Sequence, residues 1–180
     1  NALDANTTGD NNTAIGQGSL SANTTGGYNT ACGMFALNTS STASNNTAVG
    51  YVALQVTNAA DNTAVGYKAL QDTSTGSDNT AVGSDALREN TTGSNNTAVG
   101  SEALYTNTTG SHNVAIGLNA LETNNASNNV AIGVDAGRLN TTGASNTFIG
   151  RAAGEQNTTA DNNTALGMYA LTANTTGSEN

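Results

Sequence analysis

The sequence predicts an all-β parallel solenoid, and three features predict it. A five-residue unit, Asn62-Thr63-Ala64-Val65-Gly66, recurs in close copies ten times. The copies start either 16 or 17 residues apart along the whole chain. Within them, apolar and β-branched residues keep a fixed phase, which marks stacked supersecondary units rather than one globular core. Residues 1–180 therefore read as a single array of about ten stacked turns.

Counting each repeat from its first residue as position 0, that position is Asn in every copy: Asn12, Asn29, Asn46, Asn62, Asn79, Asn96, Asn113, Asn129, Asn146 and Asn163. Stacking predicts an Asn column in which each amide bonds to the amides above and below. A pure turn role is the alternative, since Asn tolerates bent backbone. Asp and Gly suit turns equally well, yet neither occurs at this position, and that favours the ladder.

Positions 1 to 3 read as a short strand, rich in β-branched residues and bounded by Asn and Gly. Position 1 is Thr except for Val114 and Val130, and position 2 is Ala except for Phe148. The exchange of Thr for Val suggests that positions 1 and 3 face inward. Position 3 is then the core column, formed by Ile15, Val49, Val65, Val82, Val99, Ile116, Ile132, Ile149 and Leu166, with Cys32 as a small buried hydrophobe in the same file. Gly at position 4 implies positive φ or a close backbone approach where the strand ends.

Ala at position 7 and Leu at position 8 follow two variable residues, as in Ala69-Leu70 and Ala103-Leu104. The segment reads as a second strand, with a helical turn as the other choice. If it is extended, neighbours point to opposite faces, and the Leu file becomes an outer apolar stripe that drives lateral self-association of chains, as in a fibre. A bend at position 7 would turn both side chains inward instead. The rest of the repeat is an Asn/Thr/Ser/Gly turn, most often Asn-Thr-Thr-Gly, and the two 16-residue repeats lose their residue there. Such a deletion fits a solvent-facing loop. Asn-x-Ser/Thr acceptors crowd these turns, and Asn6, Asn23, Asn38, Asn90, Asn107, Asn140, Asn157 and Asn174 are the candidate glycosylation sites. Both termini cut the pattern, as a segment of a longer fibre would.

The units Asn113-Val114-Ala115-Ile116-Gly117 and Asn129-Val130-Ala131-Ile132-Gly133 resemble the repeats in head domains of trimeric autotransporter adhesins. The 17-residue unit with Ala-Leu and Asn-Thr-Thr-Gly is also similar to repeats that precede endosialidase-type chaperone domains in phage fibres and other bacterial surface proteins. The resemblance implies a left-handed β-roll, three chains to an assembly, and display on a cell or virion surface, with a host-surface or carbohydrate ligand.

Composition narrows the function further. Four basic and thirteen acidic residues give a net charge of −9, which disfavours a nucleic-acid partner. No stretch is apolar enough for membrane insertion of this segment. The one histidine, His112, occupies a variable turn position, and no nucleophile, phosphate-loop or zinc motif occurs. Asp10, Asp61, Asp78 and Asp161 do not recur in every repeat, unlike the ligands of calcium-binding solenoids. The expectation is a non-enzymatic, cofactor-free extracellular fibre segment, structural or adhesive. The alternative is a repetitive-face protein that binds ice or carbohydrate, with Thr47, Thr63, Thr80 and Thr97 stacked in file. An inward position 1 would argue against it.

Overall fold

The computed structural model describes residues 1–180. It contains ten three-residue strands: β1 (Thr13–Ile15), β2 (Thr30–Cys32), β3 (Thr47–Val49), β4 (Thr63–Val65), β5 (Thr80–Val82), β6 (Thr97–Val99), β7 (Val114–Ile116), β8 (Val130–Ile132), β9 (Thr147–Ile149) and β10 (Thr164–Leu166). Each pairs in parallel with the next in chain order, so the sheet is one strand per turn of a solenoid. Register is exact in the repeat frame: Thr63 lies beside Thr80, Ala64 beside Ala81 and Val65 beside Val82. The 16-residue repeat leaves it undisturbed, with Thr47 beside Thr63.

The strand faces are the reverse of the expected ones. Ala at position 2 is fully buried in β2 to β8, whereas none of the position-3 residues is buried. Ile15, Val49, Val82, Ile116, Ile132 and Leu166 are exposed, and Val65, Val99 and Ile149 are half-buried. Cys32 is likewise half-buried on the outer face and is a free thiol. The error is a shift of one residue, which in a two-fold alternation exchanges every side chain between faces. Its cause is the width of the interior. Leu from the opposite side of each turn already occupies the centre, leaving room for a methyl group but not for Val or Ile. The Thr/Val exchange at position 1 then reflects a pleated outer surface that suits β-branched side chains.

The expected second strand does not form. Residues at positions 6 and 8 have positive φ, 57° at Glu102 and 53° at Leu104, and Ala103 lies between them with an ordinary φ. This is the bend that turns Ala and Leu inward together: Ala69, Leu70, Ala103 and Leu104 are all fully buried. The outer leucine stripe, and the self-association argued from it, therefore fall away. A non-glycine residue at positive φ costs about 1–2 kcal/mol, but burying a Leu side chain contributes about 1.5–3 kcal/mol. The bend also keeps the turns bonded, because the Leu104 N–H donates to the Ala120 carbonyl at 3.0 Å.

Gly at position 4 fulfils both expectations at once. Gly66 has φ of 141°, and a Cβ built there would run into the carbonyl oxygen of Gly83 in the next turn. The glycine file is where backbones of successive turns approach most closely, and no L side chain fits it.

One turn departs from the pattern and compensates for it. Phe148 replaces Ala at position 2 and is still buried. Its ring occupies the volume that Leu would fill at Gly137 and Gly154, the two repeats with glycine at position 8. A Cβ on Gly137 would lie 2.7 Å from Phe148 Cδ2, and one on Gly154 would strike the same ring.

Candidate functional site

The interior of the solenoid is lined by two polar files as well as by Ala and Leu. The position-0 asparagines from Asn29 to Asn163 are buried, and Asn12 in the first turn is half-buried. They form a ladder, although the rungs run mainly to the backbone rather than from amide to amide. Asn96 Oδ1 accepts from the Asn113 N–H at 3.0 Å, and the Asn96 N–H donates to Asn79 Oδ1 at 3.0 Å. Asn96 Nδ2 donates to the Gly110 carbonyl at 2.9 Å and to Asn79 Oδ1 at 3.1 Å. The first contact recurs at every step, from Asn29 on Asn12 to Asn180 on Asn163. Position 0 lacks Asp and Gly because the site needs an acceptor and a donor on one short side chain.

Sequence reasoning missed the second file, at position 11 of the turn. Asn23, Asn90, Asn107, Asn124, Asn140 and Asn157 are fully buried there. This file carries the amide-to-amide bonds: Asn107 Nδ2 to Asn90 Oδ1 at 3.0 Å, and Asn157 Nδ2 to Asn140 Oδ1 at 2.7 Å. Both files converge on the carbonyl at position 14. Gly110 O accepts from Asn96 and from Asn107, each at 2.9 Å. The signal was present in the recurrence of Asn three residues before Gly, but an Asn-Thr-Thr-Gly string reads equally well as a solvated turn.

This burial corrects the glycosylation reading. Asn23, Asn90, Asn107, Asn140 and Asn157 have no exposed surface, so a glycan on any of them would displace the ladder. Asn38 and Asn174 are half-buried, and Asn6 is exposed. The turn is not simply a solvent loop either. Along with the residue before each position-0 Asn, exposed as at Tyr28 and Asn95, position 13 projects into solvent, as at Thr25, Thr92 and Thr109. Position 13 is the residue the 16-residue repeats omit: Ala59 and Ala126 take over the carbonyl node, accepting from Asn46 at 3.0 Å and Asn113 at 2.8 Å.

The outer surface divides by chemistry. All charged residues lie outside positions 0 to 4. Arg138 and Glu155, in successive turns of the variable loop, pair at 2.9 Å. That hydrogen bond, more than the field of Asp135, holds the guanidinium further into its protonated form. The strand face is instead an uncharged array of Thr and Val or Ile. His112 is exposed in the turn before β7, and no three His, Cys, Asp or Glu side chains are grouped as metal ligands.

The ladder carries a measurable consequence. Asn96→Ala is expected to destabilise by about 1–3 kcal/mol, because the Asn113 N–H and the Gly110 carbonyl lose a buried partner. Asn58→Ala, at an exposed turn position, is expected to change stability by less than about 0.5 kcal/mol. Urea titration of both variants checks the contrast, and equal shifts would remove the ladder from the account of stability.

No family model, curated protein or solved structure matches this chain.

Proposed function

We propose that this chain is a non-enzymatic structural rod, a segment of an extracellular fibre that sets distance from a cell or virion surface and presents an adhesive side. The observation that carries the reading is the sameness of the turn-to-turn interface. Each step repeats the parallel strand pair, the Asn rung and the glycine contact, so length is added in equal increments without a change in cross-section. A stack of this kind gains stability from nearest neighbours and can be lengthened without redesign. The interior is filled by Ala, Leu and Asn, which suits a rod better than a container.

Removing one whole repeat, residues 79–95, tests the spacer role. The shortened chain is expected to fold and to lose about 4.8 Å of length, one strand spacing. Adding a copy of the same residues is expected to lengthen it equally. Small-angle scattering on the three lengths gives the increment, and a chain that collapses or loses register on either change would contradict a modular spacer. Adhesion is read separately, by the binding of rod-coated beads to cells and to immobilised glycans.

A further inference from the structure

We propose that the outward face of the ten-stranded sheet binds the surface of ice, through the files of Thr at position 1 and Val or Ile at position 3. The proposal goes beyond the spacer role and does not depend on it. Inward placement of position 1 had argued against such a face, and the structure puts that position outside.

Four observations support it. The strands repeat in register with no offset from β1 to β10, so side chains of each file recur at one strand spacing, about 4.8 Å. Between the two end strands the environments are similar: Val49, Val82 and Ile132 are each 37% exposed and Ile116 is 38% exposed, while Ile15 and Leu166 at the ends are more open. The position-1 hydroxyls are uncommitted. The backbone N–H of Thr63, Thr80 and Thr97 bonds to the next turn, but their Oγ1 atoms make no hydrogen bond within the chain, and the three residues lie half-exposed at the surface. The other Thr file differs in this respect, since Thr91 Oγ1 donates to the Thr108 carbonyl at 2.9 Å and Thr141 Oγ1 to the Thr158 carbonyl at 2.9 Å.

The fourth observation is charge. The chain carries −9 overall, yet none of its seventeen formally charged residues falls in positions 0 to 4 of any repeat. A neutral lattice of water is the complement of such a face. Charged side chains would hold hydration shells of their own and disturb the lattice, whereas Thr offers a hydroxyl that joins it and a methyl that, with Val and Ile, leaves liquid water on contact. A second protein fits less well. The face is about 43 Å long, nine strand spacings, and only two side-chain files wide, which falls short of the roughly 800 Å² per partner of a stable protein interface. An extended crystal surface needs no such minimum patch, because every file engages an equivalent row.

The test uses the full chain. Thermal hysteresis and ice-crystal habit are measured for the wild type, for Thr80→Tyr with Thr97→Tyr on the face, and for Thr75→Tyr at an exposed turn position outside the strands. All three proteins are checked by circular dichroism and melting, and Tyr is well accommodated on an outward strand position. The expected result is faceted crystals and a freezing gap for the wild type and Thr75→Tyr, with both lost in the face variant although it melts as the wild type does. A wild type without a freezing gap would overturn the proposal. So would a gap unchanged by the face substitutions, or sedimentation showing a stable oligomer in which Thr97 is covered.

Discussion

Leu104→Asp is expected to unfold the middle of the rod at neutral pH. Leu104 has no solvent exposure and sits in the continuous core with Ala98, Ala103 and Leu121. Truncating a buried Leu costs about 2–5 kcal/mol, and placing an unpaired carboxylate there adds several kcal/mol more. Its effect spreads, because each turn is held only by its neighbours and a broken turn leaves two shorter stacks. Hydrogen exchange should therefore report lost protection at Leu87 and Leu121 as well as at the substituted turn. The introduced carboxyl would have a raised pKa in the folded state, so the loss should be smallest in acid, below its unfolded value of about 3.9, and grow as pH rises. Leu118→Asp, at an outward position 47% exposed, provides the contrast and should remain folded. A Leu104→Asp chain that melts like the wild type would contradict the inward bend.

The period, the parallel stack, the Asn ladder and the glycine approach were legible in the sequence because each depends on one residue type at one fixed position. A column of identical residues can be read without knowing which way it points. The direction of the columns was not legible. Thr47-Ala48-Val49 alternates whichever face is inside, and apolarity favoured Val49 as core because the Leu54 side chain across the turn was not known to fill the centre. The bend was one of two open choices and the sequence did not decide it: Leu at positive φ has no local signature, since Leu is neither a turn former nor a residue that relieves left-handed strain. Gly137 and Gly154, which replace Leu with φ of 59° and 60°, point to it, as does Gly18 at position 6 with φ of 68°. The second Asn file was obscured for a related reason. Ser40, Thr57 and Thr73 interrupt it, and the unpartnered Ser40 and Thr73 hydroxyls show that the file tolerates imperfection where position 0 does not.

The substitution pattern around Phe148 yields the sharpest energetic expectation. Phe148→Ala restores the consensus residue at position 2 and yet should destabilise by about 3–5 kcal/mol, because the volume left beside Gly137 and Gly154 stays empty. Gly137→Leu with Gly154→Leu restores the consensus at position 8 and should also destabilise, since the new side chains meet the Phe148 ring. Together the three changes should return stability to within about 1 kcal/mol of the wild type, as Leu87 and Leu104 already hold φ of 51° and 53° without difficulty. Residues that share one volume couple in this way, and a thermodynamic cycle measures the coupling directly. Additive losses would show that the ring and the two glycines do not share a volume. Recovery would show that the interior is specified as a sum over neighbouring turns, in which a side chain missing from one turn can be supplied by the next.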